Sequence, residues 1–550
     1  MSLLMLKIRL KNNLMRIRKA VLGLCSAVML SMPATVNAYG QINVDQLSPA
    51  SVYDAGVIRN GGLDSALWQG VSAVQATSLI NNIDTDATGS ARRLIRAALL
   101  SGGVPPQAAD GFERDAYVAA RLSAVLALGN FSDFDVLVNQ SDINRAKPVY
   151  TKIFVERALL GADTQTACSI TDNVIVARKS PYWAKLRAFC HVMRGEIPAA
   201  ELTADLLARS GHADKTFFAL LGKLTGTRPE IILDSVDTSL QIAMAREILK
   251  ADDLNLKTMP LTFSATIALD ISQDPIDRLA ALLVSAHLLD AQQMRSVLIM
   301  MAESRPENPD EVYSLDSIRS KKVWSHHLWG GAYYQLRMEN GREAAILASG
   351  LLLQAEKNNI LPDILRLLKS YVEHIPAELK SKYNPEIFAR AAVLMGDINT
   401  LRGLFQALAV DDPLRGRIAL ASDVLNNGFV FGELGVDIET RLASNGNKKA
   451  RAVRDSYIAV AMGAKLSPHA ETILSKAKLT GRTLNSGEML AFQAAARRGS
   501  KAEIALRAAH MIDGEPLRAD AFAALLTTFV SVGMHEQAGW LAALDILDTE

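Results

Sequence analysis

The residues of this chain that could do chemistry do not assemble into a known catalytic set. Its nine histidines include no His-Glu-x-x-His, and no Cys/His spacing suits zinc. Gly222-Lys223 is followed by Leu224 and lacks the upstream glycine of a phosphate-binding loop. No Gly-x-Ser-x-Gly elbow occurs. Ser475-Lys476-Ala477-Lys478 matches Ser-x-x-Lys, in which the lysine activates the serine. Neither a Ser-Asp-Asn nor a Lys-Thr-Gly companion follows, and Lys478 reads as a solvated helix charge. The sequence therefore predicts no catalytic residue, no metal ligand and no cofactor.

The densest group of ligand-contacting residue types lies in Lys321 to Tyr334. Trp324, His326, His327, Trp329, Tyr333 and Tyr334 gather around Gly330-Gly331, in a chain only 6% aromatic. Such side chains stack on sugars or anchor protein interfaces, which makes these six the candidate interface. The competing reading is a helix whose Trp324, Leu328 and Tyr334 build a local core, with the glycines permitting close helix contact. Adjacent His326 and His327 leave a helix in different directions and make a poor metal pair.

The start of the chain predicts export. Lys7, Arg9, Lys11, Arg16, Arg18 and Lys19 precede an apolar run from Ala20 to Met32, and Val36-Asn37-Ala38 then supplies small residues. Basic segment, short apolar core and small-x-Ala site are the parts of a secretory signal peptide, with cleavage expected after Ala38. The apolar run is short of the roughly 20 residues that span a bilayer. An uncleaved N-terminal anchor is the alternative, and the stretch before Arg16 is long for such a segment, which leaves Met1 and Met15 both open as the start. Beyond the leader no stretch is apolar for long enough to predict a membrane span.

The chain carries 59 Lys and Arg against 58 Asp and Glu. Six of the basic residues belong to the leader, so the remainder has 53 against 58 acidic, a net of −5, which argues against a nucleic-acid partner. Without the leader's Cys25, two cysteines remain, Cys168 and Cys190. A helical stretch from Thr164 to Arg178 and another from Pro181 to Arg194 flank a turn near Lys179-Ser180. Each cysteine lies about 11 residues from that turn, at a matching height of roughly 16 Å in an antiparallel hairpin. A disulfide and a pair of buried free thiols are both open, because spacing does not say whether the cysteines face one another.

The elements that must position these groups are helices. Leu94, Ile95, Ala98 and Leu99, and then Ala120, Leu122, Val125 and Leu126, recur at three and four. Phe429-Val430-Phe431 among glycines is the clearest exception and reads as a loop or short hairpin. A glycine followed by a polar residue recurs between helices at Gly129-Asn130, Gly195-Glu196, Gly341-Arg342, Gly396-Asp397, Gly499-Ser500 and Gly533-Met534, where left-handed backbone would end one helix before the next begins.

Gly195 to Leu202 and Gly341 to Leu347 resemble the turn and second helix of a tetratricopeptide unit, although the period of about 34 is not kept throughout. The expectation is an all-α fold, an α-solenoid of irregular antiparallel helical hairpins. Soluble lytic transglycosylases pair an exported superhelix with a catalytic Glu-Ser. Glu303-Ser304 occurs here, but Arg305-Pro306 follows and no Gly-Leu-Met-Gln signature appears. Gly61 to Gly70, and Trp183 to Cys190 with the Gly195-Glu196 turn, resemble an exported helical-repeat family of alphaproteobacteria. That resemblance covers about the first 200 residues; it implies a Gram-negative envelope location and no activity.

The expected organisation is a signal peptide (1–38), an extended lead-in (39–63), an N-terminal helical half (64–303), a short linker (304–312) and a C-terminal helical half (313–550). The function expected from these readings is a non-catalytic periplasmic scaffold contacting an envelope or secretion protein. Binding or cleavage of envelope polysaccharide is the alternative.

Overall fold

The computed structural model describes residues 51–548, apart from 59–61, 130, 213, 229, 231, 234–235, 250–254, 257–274, 305–314, 321–322 and 427–435. The expected signal peptide, the first part of the lead-in, nearly all of the linker and the Phe429-Val430-Phe431 segment lie outside the described residues. What is described is all-α, with twenty-seven α-helices among the described residues. A two-residue parallel pairing of Ile232 with Asn255 and Leu233 with Leu256 is also present.

In chain order the helices are α1 (Ala73–Asn81), α2 (Gly89–Leu100), α3 (Gly111–Ala127), α4 (Phe131–Asn139), α5 (Pro148–Leu160), α6 (Thr164–Asp172), α7 (Pro181–Met193), α8 (Ile197–Arg209) and α9 (Lys215–Leu224). There follow α10 (Ser239–Leu249), α11 (Pro275–Ser285), α12 (Ala291–Glu303), α13 (Leu315–Ser320), α14 (His326–Leu336), α15 (Gly341–Lys357), α16 (Leu361–His374), α17 (Ala377–Lys382) and α18 (Pro385–Met395). The last are α19 (Ile398–Ala407), α20 (Pro413–Leu425), α21 (Val436–Leu442), α22 (Asn447–Ala461), α23 (Pro468–Leu474), α24 (Ser486–Arg498), α25 (Lys501–Ile512), α26 (Ala519–Ser531) and α27 (His535–Ile546).

Local chemistry sets many of the boundaries. The side chains of Asp110, Asp163, Asp214 and Asp397 each accept from an amide in the first turn of the helix that follows, satisfying donors the helix leaves unpaired. Asp290 with Gln293, and Asn485 with Glu488, form reciprocal capping boxes. Proline opens α5, α7, α18 and α20, where a missing amide proton costs nothing. The six glycines singled out in the sequence have φ between 60° and 77°. Gly396 and Gly499 cap the C-termini of α18 and α24 in the left-handed region. Gly341 differs, because it opens α15 rather than closing α14.

Helices adjacent in sequence pack as neighbours through α5 to α8, α13 to α16 and α18 to α20, whereas α12 packs on α14. The apolar core does not divide at residues 304–312. Residues 155–248, covering most of α5 to α10, form a core of their own. The segment from Val52 to Phe154 instead shares one core with residues from Leu282 to Leu547. In a pure solenoid each hairpin touches only its sequence neighbours. Here α2 lies along α25, and α27 packs on both α18 and α20.

Buried Arg121 ties the beginning of this core together. Its guanidinium donates to the carbonyls of Leu99 at 2.7 Å, Val52 at 3.2 Å, Ala55 at 2.7 Å and Ser101 at 3.0 Å. Residues 51–55 of the lead-in are thereby fixed against the end of α2. They form a turn, with the amide of Ala55 donating to Ser51.

Candidate functional site

The aromatic segment around α14 is core. Trp324, Trp329, His327 and Tyr333 are buried, and Trp329 and Tyr333 are at most 1% exposed. Trp324 and Trp329 meet edge to face at 5.9 Å, and Tyr333 meets Tyr371 of α16 at 6.4 Å. Glycines make this possible. A Cβ on Gly330 would sit 2.4 Å from the backbone nitrogen of Ala302 in α12, and one on Gly350 would strike the Trp324 ring at 2.8 Å.

His327 Nδ1 lies 3.2 Å from Ser304 Oγ at the end of α12, which anchors the ring. The rings of His326 and His327 are 3.9 Å apart, closer than adjacent helix positions suggested. Of the six expected interface residues only Tyr334 is exposed, at 42%. The core reading of the segment holds for Trp324, Leu328 and the close contact at Gly330, with Tyr334 the exception. The interface reading is corrected: apart from half-buried His326 and exposed Tyr334, these side chains offer no area to a partner.

Cys168 on α6 and Cys190 on α7 are paired at disulfide distance, with Cα atoms 5.5 Å apart and both side chains buried. The matched heights expected from the sequence thus come with facing side chains. The pair braces the separate core of residues 155–248.

In that same core, α8 buries Ala200 and Leu207, against α7. On its outer side Leu202 and Leu206, one turn apart, are 63% and 61% exposed. Asp205 and Arg209 flank them as an i,i+4 ion pair. The sequence had singled out this helix only for its likeness to a tetratricopeptide turn.

The seam between the beginning and the end of the described chain is a second candidate. The amide of Ala502 donates to the Leu67 carbonyl at 2.8 Å, and Gln537 reaches the Gly62 carbonyl at 3.3 Å. Lys501 pairs with Asp64, and the Arg93 guanidinium sits 4.5 Å over the Trp540 ring. Fully buried Glu503 accepts from Arg498 at 2.7 Å, from Arg507 at 2.9 Å and from Gln75 of α1 at 3.4 Å.

Beside these contacts is a cavity of about 210 Å³ between the α1–α2 turn and α25. Leu79, Ala87, Ile95, Leu506 and Met511 give it apolar walls, and Asp84 and Asp513 line it as well. Burial, and then a hydrogen bond to the Asp84 carboxyl, push the Asp513 carboxyl above its ordinary range. Carboxyls in mutual contact leave no room for a sugar between them, whereas glycoside-hydrolysing pairs stand roughly 5–10 Å apart. Nothing local marks Asp84, Glu503 or Asp513 in the sequence; they lie among ordinary helix charges and a turn.

Among the described residues no group of His, Cys, Asp and Glu is arranged to hold a metal ion. Among the same residues no helix is long and apolar enough to cross a membrane. The fold and these sites define an all-α protein of packed helical hairpins, braced by one cysteine pair and joined end to end by a polar seam. No family model, no characterised protein and no solved structure matches the chain.

Proposed function

We propose that the chain is an exported, non-catalytic helical scaffold that binds a protein partner in the cell envelope. The observation that carries this reading is the outer face of α8, where Leu202 and Leu206 stand exposed one turn apart. Single exposed apolar residues are ordinary, but a spaced pair on a helix face suits a partner helix or groove that reads the same spacing. Export is supported by the basic, apolar and small-residue order of the first 38 positions, and by a cysteine pair suited to an oxidising compartment. Helical-repeat proteins hold partners on surfaces built from packed hairpins, which supports the same reading.

The test is site-specific photo-crosslinking in cells, with the probe at Leu206 and a control probe at exposed Val410. The expected result is a discrete adduct at position 206 that Leu202→Asp abolishes, with none at 410. Matching patterns at both positions, or an adduct indifferent to Leu202→Asp, would overturn the reading. Recovery of the chain in the cytosolic fraction would overturn its export component.

A further inference from the structure

The seam cavity holds chemistry that the α8 face does not use. At about 210 Å³ it exceeds the apolar cavity of about 150 Å³ that admits benzene, so it is large enough for a chain of about six carbons. The walls are apolar, but the charge presented at the opening is acidic. Asp84 stands exposed on the turn after α1 and half-buried Asp513 directly after α25, their carboxyls in hydrogen-bond contact.

The other charged groups lining the cavity do not cancel this. Arg507 is bound to buried Glu503, Glu488 serves as the reciprocal cap of α24, and exposed His510 on α25 favours the charged form of Asp513 but is the smallest of the influences on it. Two carboxylates held in contact repel unless a proton or another cation lies between them. An ammonium group offers three donors and a positive charge at the tip of an apolar stem.

We propose that this cavity binds a primary ammonium carried on a short alkyl chain, with its carbons against Leu79, Ile95 and Leu506 and its nitrogen donating to the carboxyls of Asp84 and Asp513 at the rim. The same chemistry is found in a free alkylamine and in the lysine side chain of a protein partner. The site stands apart from the α8 face, so either can fail without the other.

The experiment is calorimetric titration of the full chain at neutral pH with n-hexylamine, Nα-acetyl-lysine amide and n-hexanol. The expected result is one saturable site for an amine, weakened about tenfold or more in the double variant Asp84→Asn, Asp513→Asn. Asparagine keeps the acceptor that Asp84 offers the amide of Asp86, so the turn is preserved. Ala87→Leu, which fills the cavity and leaves both acids, weakens n-hexylamine comparably. If that variant melts early, chain length replaces it as the probe, with methylamine expected to bind far more weakly. Tighter binding of the lysine amide assigns the site to a protein partner, and tighter binding of n-hexylamine to a free amine. Equal binding of n-hexanol, or equal affinity in wild type and double variant, overturns the proposal.

Discussion

The backbone amide of Ala502, on α25, donates to the carbonyl of Leu67 across 2.8 Å, stitching the segment before α1 to the third-last helix. Around this bond the seam buries Glu503 and places Lys501 on Asp64. A contact between chain segments so distant in sequence closes a very long loop, and loop closure costs entropy that local pairing does not. The seam therefore depends on strong polar contacts as well as on the apolar packing of α2 against α25.

Glu503→Ala tests that dependence. It leaves Arg498 and Arg507 without their shared acceptor in a buried setting, where breaking one partner of a buried ion pair costs about 3–5 kcal/mol. Urea denaturation is expected to show the midpoint falling accordingly, with Glu503→Gln losing less because hydrogen bonds to Arg507 and Gln75 remain possible. An unchanged midpoint in both variants would rule out the cluster as a clasp.

Arg121→Met keeps much of the side-chain volume and removes the donors to four carbonyls. Leaving buried acceptors unpaired costs about 1–3 kcal/mol each before relaxation, so a loss of about 3 kcal/mol or more is expected. Because Val52 and Ala55 are held through this residue, limited proteolysis near residues 51–58 is expected to accelerate first. Cleavage elsewhere with this segment still protected would contradict the assignment.

Reduction of Cys168–Cys190, or Cys168→Ser, opens a loop closed across a sequence separation of 22. Chain-entropy arguments place the loss at about 3 kcal/mol. The loss is expected to be local. Hydrogen exchange should quicken in α6 to α8, which belong to the separate core, while α25 to α27 keep their protection. Uniform loss of protection across both cores would show that they unfold together.

His287, in the short turn after α11, supplies a pH dependence. Burial first, and then the nearby Arg92 and Arg366 guanidiniums, hold its imidazole down to about 3, against 6.5 for the free side chain. The unfolded chain therefore takes up a proton that the folded chain refuses. This contribution to stability is present above pH 6.5 and is lost as pH falls toward 3. Unfolding midpoints measured across that range are expected to drop less steeply for His287→Leu than for wild type. Parallel profiles would place the acid sensitivity elsewhere.

Read alone, the sequence reached those features that are local. Three-and-four spacing of apolar residues makes a helix wherever it occurs. Glycine at Gly129, Gly195, Gly396, Gly499 and Gly533 takes the positive φ that L-residues resist. The cysteine heights followed from helix rise and turn position, which are also local.

At α14 aromatic density suited both a core and an interface, and the core reading held for Trp324 and Leu328 but not for Tyr334. Burial there is decided by α12, α15 and α16, elements whose approach the segment does not encode by itself. The seam was beyond sequence reasoning altogether. Asp84, Glu503 and Asp513 are ordinary charges in their own helices and turns, and they acquire meaning only when residues 62–100 meet residues 498–540. Local propensity and capping determined the elements of this protein. Its seam, its two cores and its cavity were decided by long-range packing, because which apolar faces cover one another depends on the whole chain at once.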